Sequence, residues 1–331
     1  MQLKFTKAAD FRQERDFGAK IGATFEFLAA HWRPLGKCIL YFVLPVALLL
    51  GIGLGLAVNS MFNTIATART NPTVFRQATG LDMFGTSYFV GVALAIVGGL
   101  LSFSMLLSTV YAYVRLLLIE ESPTPPAPTQ VWGQIKARLG QMLLAFALLG
   151  GLYMVLVVVL VGFVAAVGNG TGVFLLFLVL LPLLVYVGVA LSLYFPALWM
   201  EDAGVFAALR RCFYLVRSHW WASCGLLLVA GLIQSMMTFV FILPQYAVMI
   251  GKILKIPGLD SDALGLAAQC FYAVGIMFVY CVPLLAMLFQ YFNLIERKEG
   301  IGLRSLVDSL GSGPAPVAYN HAYRPDDEGE Y

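Results

Sequence analysis

Six long apolar segments constrain the fold of this chain more than any other feature of its sequence. They cover residues 37–58, 87–118, 141–167, 173–199, 221–250 and 263–293. About 20 mostly apolar residues in a helix cross the hydrocarbon core of a bilayer, which is about 30 Å thick. Because 60% of the 331 residues are hydrophobic and only 12% are charged, a soluble fold would leave much apolar surface in water. The sequence predicts an all-α, polytopic membrane helix bundle with about six transmembrane helices.

The distribution of basic residues predicts how the bundle is oriented. If the N-terminus lies in the cytoplasm, 17 of the 21 Lys and Arg residues fall on the cytoplasmic side. Membrane proteins carry this excess of positive charge on their cytoplasmic loops. The same predicted boundary holds every tryptophan, a residue that favours the membrane interface: Trp32, Trp132, Trp199, Trp220 and Trp221. Both termini are therefore predicted to be cytoplasmic.

Amphipathic helices are predicted immediately before spans one and five. The apolar faces are Phe17, Ile21, Phe25, Leu28 and Trp32 in the first, and Val205, Leu209, Phe213, Val216 and Trp220 in the second. The second set follows the first at a constant offset of 188 residues. Such helices lie in the headgroup layer with their polar faces toward anionic lipid. These polar faces hold Arg12, Arg15 and Lys20 in the first helix, and Arg210, Arg211 and Arg217 in the second. The predicted interface residues are Trp32, Arg210, Arg211, Arg217, Trp220 and Trp221.

A weaker amphipathic pattern before span three suggests an internal repeat. Each unit would be one interfacial helix followed by two spans, over about 10–118, 129–200 and 201–300, with parallel orientation. The alternative is that cytoplasmic entry helices are commonly amphipathic and basic, which requires no repeat. Residues 1–310 form the predicted membrane domain, and the polar segment 311–331 is predicted to be a disordered cytoplasmic tail. The longest predicted outer loop covers 59–86.

The sequence predicts neither catalysis nor a metal or cofactor site. No charged residue lies near the middle of a span, where such residues usually mark transport or proton pathways. The three histidines are too few for a centre built from several histidine ligands, and the five cysteines form no C-x-x-C pair. The net charge of +3, without a long basic run, gives no indication of nucleic-acid binding. The expected partners are membrane lipids and possible membrane proteins.

Neutral polar residues, glycines and prolines inside the spans allow more than one interpretation. Gln234, Thr238 and Gln245 share roughly one face of span five. They either form interhelical hydrogen bonds or line an intramembrane polar site. Gly51-Ile-Gly-Leu-Gly55 permits close packing, either within the chain or between copies. Kinks are predicted at Pro45, Pro182, Pro244 and Pro283.

Two stretches in the last third of the chain resemble a broad group of bacterial membrane proteins. They are YFPALWMEDAG at 194–204, followed by a basic segment up to His219-Trp-Trp221, and YFNLIERKEG at 291–300. They resemble the membrane domain sometimes fused to glycerophosphodiester phosphodiesterases, and related uncharacterised multi-pass proteins. The resemblance implies a bacterial cytoplasmic (inner) membrane. It implies no phosphodiesterase activity, which in those fusions belongs to a separate barrel domain of about 250 residues.

Two functions are most consistent with these features, and an intramembrane enzyme is the least favoured alternative. The first is a non-catalytic membrane protein, a structural or accessory subunit that binds lipid or partner proteins. The second is a transporter or carrier of a hydrophobic or amphiphilic solute. The absence of catalytic motifs favours the first, whereas kinked spans and the polar face of span five favour the second.

Overall fold

The computed structural model describes residues 5–70, 85–120, 124–167, 170–202, 204–254, 256, 258–259, 261–302 and 304. Within these ranges the secondary structure is entirely helical, as the sequence predicts. The helices are α1 (Ala8–Phe11), α2 (Phe17–Phe42), α3 (Leu44–Thr70), α4 (Thr86–Glu120), α5 (Pro128–Val167), α6 (Gly170–Leu191), α7 (Tyr194–Met200), α8 (Val205–Val216), α9 (Trp220–Leu254), α10 (Asp262–Val279) and α11 (Cys281–Glu299).

Six segments in the described part of the chain are long and apolar enough to cross a membrane. They are Leu44–Thr64, Thr86–Glu120, Pro128–Ala166, Leu180–Met200, Trp220–Leu254 and Asp262–Glu299. Each overlaps one of the six predicted spans, so the prediction of a multi-pass helical membrane protein is confirmed. Spans two, three, five and six have between 35 and 39 residues, more than a straight crossing requires.

Three glycines allow α3 to lie between two neighbouring helices. A Cβ atom on Gly51 would come within 2.6 Å of the Cα atom of Cys270 in α10, and Gly55 faces Leu266 of the same helix. Gly53, between them, packs against the backbone of Ala95 in α4. In this structure the G-x-x-x-G spacing therefore serves contacts within the chain, because only hydrogen atoms fit at these positions.

Two spans are divided into consecutive helices near a proline. The boundary between α2 and α3 is at Val43, and the one between α10 and α11 is at Tyr280. Pro45 and Pro283 lie in the first turn of the following helix, where the missing N–H costs no hydrogen bond of that helix. Pro182 and Pro244 lie inside α6 and α9 instead. The predicted single span over 37–58 is therefore the end of α2 followed by α3.

The most densely packed region is at one end of the bundle. Side chains on every side of α4 are buried between Leu106 and Leu117, and α11 is buried in the same way from Leu285 to Ile295. These two helices and α7 contact one another, while α2 packs on α4 and α11, and α8 packs on α7 and α11. The second halves of the long spans therefore continue into a helical layer around this end of the bundle.

Both ends of the described chain meet in that densely packed layer. The backbone N–H of Arg15 donates to the side-chain carbonyl of Asn293 at 2.8 Å, and Glu14 lies 3.7 Å from Arg297. A Cβ on Gly302 would approach the backbone carbonyl of Arg12 at 2.7 Å. We refer to this layer below as the terminal end of the bundle.

A polar contact joins three helices at the opposite end. The amine of Lys252 in α9 lies 2.6 Å from a carboxylate oxygen of Asp262 in α10 and 2.7 Å from the amide oxygen of Asn59 in α3. The amide nitrogen of Asn59 donates to the backbone carbonyl of Asp262 at 2.9 Å. Helix α3 includes Asn59 and continues to Thr70, so the first part of the predicted outer loop over 59–86 is helical, and 71–84 lie outside the described residues.

The three predicted amphipathic segments are all helical, but they do not all form separate helices. The segment before span one is the first part of the long α2, and the segment before span three is the start of α5. Only the segment before span five forms a separate helix, α8, and three residues lie between the end of α8 and the start of α9. The threefold repeat and its unit boundaries remain predictions. The predicted tail over 311–331 and the Gly168-Asn169 turn lie outside the described residues.

Candidate functional site

Two arginines and one aspartate join three helices at the terminal end. Asp202, which follows α7, forms a two-point contact with Arg115 of α4, with N–O distances of 2.6 and 2.8 Å. Arg138 of α5 pairs with the same carboxylate, and its guanidinium lies 5.2 Å from the centroid of the Trp199 ring. The backbone of Asp202 has a φ of 53°, which turns the chain sharply after α7. The carboxylate thereby lies between two cations that would otherwise repel each other.

A second ionic group surrounds Arg211 of α8. Its guanidinium lies 2.8 Å from Glu201 and 2.6 Å from Glu299, and the hydroxyl of Tyr291 donates to Glu201 at 2.9 Å. Burial opposes the charge on Arg211, but the hydrogen bonds that its guanidinium donates to both carboxylates outweigh this effect and raise its pKa. Lys298 lies 4.3 Å from the centroid of the Tyr214 ring. This group connects α8 to the ends of α7 and α11.

A buried lysine is bound by uncharged side chains that are linked to one another by hydrogen bonds. The amine of Lys20 donates to the amide oxygen of Gln290 at 2.7 Å, and the amide nitrogen of Gln290 donates to the hydroxyl of Ser223 at 2.9 Å. Ser223 in turn donates to the carbonyl of His219. Burial, together with the nearby charge of Arg297, lowers the pKa of Lys20, although Asp16 partly compensates. These hydrogen bonds join α2, α11 and α9.

The position of Lys20 corrects one expectation from the sequence. Lys20 was expected on the outward, polar face of an interfacial helix, but it is only 4% exposed. His31, also buried, lies 2.9 Å from the hydroxyl of Tyr113 through its Nδ1 atom. The expectation is wrong because α2 packs on α4 and α11 with this face, and its apolar face points outward. Lys20, Thr24 and His31 are spaced so that they share one face of the helix. This spacing could have indicated that the helix has a second, polar face that packs inside the protein.

The outward face of α2 carries an apolar stripe. Phe17, Phe25 and Trp32 are exposed, with Trp32 at 62%, and Ile21 and Leu28 are half-buried between them. The spacing places all five side chains on one side of the helix, as the sequence predicts. Ile21 and Leu28 also pack against the core and Phe17 lies beside Gly225 of α9, but the exposed parts of the three rings remain available to an apolar solvent.

The predicted interface residues occupy different environments. Trp32, Arg210, Arg217 and Trp221 are exposed, the last at 81%. Trp220 is half-buried and stacks on Tyr186, with ring centroids 6.1 Å apart. Arg211 lies between the two carboxylates described above. Whether these residues contact lipid headgroups stays a prediction.

The predicted polar site on span five lies on α9, which packs on α10 and α11. Gln234, Thr238 and Gln245 are all half-buried in α9. The hydroxyl oxygen of Thr238 and the amide oxygen of Gln245 are shielded from solvent and accept or donate no hydrogen bond within the described part of the chain. Buried polar groups of this kind normally have a partner. These two atoms are therefore the best structural indication of an intramembrane polar site.

A groove that the sequence did not indicate runs beside the second half of α2. It has a volume of about 520 Å³ and is lined by Leu28, Trp32, Leu40, Phe278 and Cys281. Arg33, Gly36 and Lys37 form its edge. Arg33 and Lys37 are both exposed, and neither has an ion-pair partner among the described residues. The groove therefore combines an apolar wall with two cations.

Comparisons with known proteins do not assign the chain to a family. No known protein family, curated protein or solved structure gives a significant match. The resemblance to the membrane domain of glycerophosphodiester phosphodiesterases therefore depends on the quoted residues alone. Within the ranges that the structure describes, no group of three or more His, Cys, Asp or Glu side chains could hold a metal ion.

Proposed function

We propose that this chain is a non-catalytic integral membrane protein whose helical layer at the terminal end binds membrane lipid, in a structural or accessory role. The observation that carries the proposal is the exposure of three large aromatic side chains, Phe17, Phe25 and Trp32, along one face of α2. Exposing such large aromatic side chains to water is unfavourable, whereas the bilayer interface accommodates them. The exposed cations Arg33, Lys37, Arg210 and Arg217 would face anionic headgroups.

The ionic groups of the terminal end support a structural role. Asp202 is shared by two arginines, and Arg211 by two carboxylates. Charged side chains that neutralise each other in this way hold helices together, and their charges are already compensated. A catalytic acid or base would instead need an open position for a reacting group.

We place the chain in the cytoplasmic (inner) membrane of a bacterium, with the terminal end in the cytoplasm. The excess of basic residues on that side supports this orientation. The contacts of Arg15 with Asn293 and of Glu14 with Arg297 bring the two ends of the described chain together, which supports both termini lying on the same side. An even number of spans is consistent with both termini on one side.

Native mass spectrometry of the protein, extracted gently from its own membrane, tests this proposal. We expect retained phospholipid, or a stoichiometric protein partner that would define the complex to which the chain belongs. A homogeneous protein that retains neither would contradict the proposal. Replacing Arg210 and Arg217 together by Gln should weaken the retention of anionic lipid, since both are exposed on α8.

A carrier for a hydrophobic or amphiphilic solute is the second candidate. The shielded oxygens of Thr238 and Gln245 favour it, because a bound solute could supply their missing hydrogen-bond partners. One defined small molecule in the mass spectrum, lost in Gln234→Leu and Thr238→Val but retained in Ser235→Ala, would support this role. Ser235 is a suitable control because its hydroxyl already donates to the carbonyl of Gly231.

A further inference from the structure

We propose that the groove beside α2 binds one acyl chain of an anionic phospholipid, with the lipid phosphate held by Arg33 and Lys37. The inference depends on the proposed lipid-binding function and adds a specific site and a lipid class to it. The groove is formed by α2 on one side and by Phe278 and Cys281, on either side of the α10–α11 boundary, on the other.

The groove has the size and polarity of an acyl-chain site. Its volume of about 520 Å³ lies within the range of about 300–1,000 Å³ that is usual for ligand pockets. Apart from the cations at the edge, its wall consists of aliphatic, aromatic and thiol groups. The thiol of Cys281 at the start of α11 donates to the carbonyl of Met277 near the end of α10, at 3.8 Å, so this polar group of the wall already has a partner.

The absence of a side chain at Gly36 keeps the groove open between the two cations. A Cβ atom built on Gly36 would have no other atom within 4 Å. Gly36 therefore fulfils no packing requirement inside the chain, unlike Gly51 or Gly98, where a Cβ would clash with a neighbouring backbone. Space in the middle of the edge allows a chain to pass from the cations into the groove.

The two positive charges at the edge of the groove favour the binding of an anion. Arg33 and Lys37 are four residues apart on one helix, a spacing at which like charges repel. The paired cations elsewhere, such as Arg115, Arg211 and Lys252, have carboxylate partners, whereas these two have none among the described residues. A phosphate between them would replace this repulsion by two attractive contacts.

The position of the edge along the chain fits the headgroup layer. The candidate span of α3 begins at Leu44, seven residues after Lys37. At about 1.5 Å per residue, this distance is about 10 Å along the helix. The Trp32 ring, 5.3 Å from the guanidinium of Arg33, is the kind of side chain that lies at that level. We therefore assign the site to a phospholipid of the bilayer.

Lipid selectivity in nanodiscs tests the assignment. The full-length protein is reconstituted in phosphatidylcholine containing about 20% phosphatidylglycerol, and the affinities for spin-labelled analogues of both lipids are compared. We expect wild type to prefer phosphatidylglycerol. Arg33→Gln with Lys37→Gln should weaken phosphatidylglycerol binding by at least about tenfold, because each cation near the surface contributes about fivefold. Phosphatidylcholine binding should fall by less, because its choline cation compensates the charge of its phosphate. Arg33→Lys with Lys37→Arg should retain most of the preference.

Blocking the groove tests its apolar part separately. Gly36→Phe should reduce the number of immobilised lipids of both kinds, whereas Gly18→Phe, on the same helix and equally free of clashes, should not. Thermal unfolding of each variant verifies that it folds, and Gly36→Leu replaces Gly36→Phe if the larger variant does not. Unchanged selectivity in the Arg33/Lys37 variant, or equal lipid binding by both glycine variants, would overturn the assignment.

A third comparison separates this site from the general proposal. If Arg210→Gln with Arg217→Gln loses phosphatidylglycerol selectivity while the groove variants keep it, lipid binding stands and the groove assignment fails. If wild type shows no selectivity and immobilises no lipid, both fail. Recovery of a free fatty acid or a peptide from the groove, with no phospholipid, would likewise overturn the assignment.

Discussion

At the scale of single residues, Arg211 is the side chain whose removal should cost the most stability in α8. Its guanidinium contacts Glu201 and Glu299, and all three side chains are less than one third exposed. Arg211→Gln would leave two partly buried carboxylates close together without their cation. We expect the free energy of unfolding to fall by about 2 kcal/mol, measured by denaturation in mixed micelles.

Arg210 provides the matched control for that experiment. It is adjacent in sequence, is exposed, and forms no ion pair within the described part of the chain. Arg210→Gln should therefore change the free energy of unfolding by less than about 0.5 kcal/mol. Equal losses in both variants would show that helix propensity or net charge, and not the Arg211 contacts, determines the effect.

His219 makes stability depend on pH at the joint between α8 and α9. Burial lowers its pKa below the usual 6.5, and the positive charges of Arg297, Lys298 and Lys20 lower it further. The unfolded chain therefore binds a proton at a higher pH than the folded one. Its contribution is complete above about pH 6.5 and is lost as the pH falls below that value toward the folded pKa.

The corresponding measurement is the melting temperature between pH 7.5 and 5.5. We expect wild type to lose stability toward the acid end, and His219→Gln to lose less, because glutamine takes up no proton. The hydroxyl of Ser218, 2.9 Å from the imidazole, is within reach of either neutral side chain. An identical pH dependence in the variant would contradict this role of His219.

The sequence predicted residue environments well on one face of α2 and badly on the other. The outward stripe with Phe25 and Trp32 follows from helical periodicity alone. The burial of Lys20 does not, because its partner Gln290 is 270 residues away in the chain. Periodicity gives which residues share a face, but only the tertiary arrangement decides which face is covered.

At the scale of helices, the contact between α3 and α4 should tolerate no added methyl group. Gly53 faces the backbone of Ala95, and a Cβ on Gly98 would lie 2.6 Å from the backbone nitrogen of Leu50. Gly53→Ala must therefore separate the two helices. We expect a loss of about 1–3 kcal/mol in the free energy of unfolding, the usual cost of overpacking.

Gly150 of α5 provides the control for this substitution, because no other helix lies close to it. A Cβ there would have no other atom within 4 Å, so Gly150→Ala adds helix propensity at no steric cost. It should leave stability unchanged or slightly increased in the same denaturation experiment. A loss of stability in Gly53→Ala without a loss in Gly150→Ala would show that the tight contact lies between α3 and α4. Similar effects would argue against the close approach of α3 and α4.

The sequence indicated the spans more reliably than their internal breaks. Each of the six apolar runs corresponds to a candidate span, because length and hydropathy alone decide whether a helix can cross a bilayer. The boundary at Val43 lies inside an unbroken apolar run, where Pro45 is the only local signal. Pro182, with the same signal, lies inside a continuous helix, so proline alone does not determine where a helix ends.

At the scale of the whole molecule, the terminal end combines most of the charged contacts with the surfaces that we propose to face lipid. Arg115, Asp202 and Arg211 hold the helices of this end together through ion pairs. The exposed stripe of α2 and the groove edge at Arg33 lie on its outside. Internal pairing leaves only the outer cations available to lipid, so the proposed structural and lipid-binding roles would use different residues.

The orientation of the terminal end is the last prediction, and it determines which leaflet the groove faces. After replacement of the five cysteines, single cysteines are introduced at Gln13 and Arg304 at the terminal end and at Ser261 at the opposite end. A membrane-impermeant maleimide should label Ser261→Cys in intact cells. It should label Gln13→Cys and Arg304→Cys only after permeabilisation, because 17 of the 21 basic residues are predicted to stay inside.

Each alternative outcome of the labelling has a different consequence. Labelling of Gln13→Cys and Arg304→Cys without Ser261→Cys would invert the topology and place Arg33 and Lys37 in the outer leaflet. Different accessibility of Gln13→Cys and Arg304→Cys would contradict the contacts of Arg15 with Asn293 and of Glu14 with Arg297. The expected pattern leaves the groove facing the leaflet where anionic lipids attract basic segments, which is the condition that its two unpaired cations require.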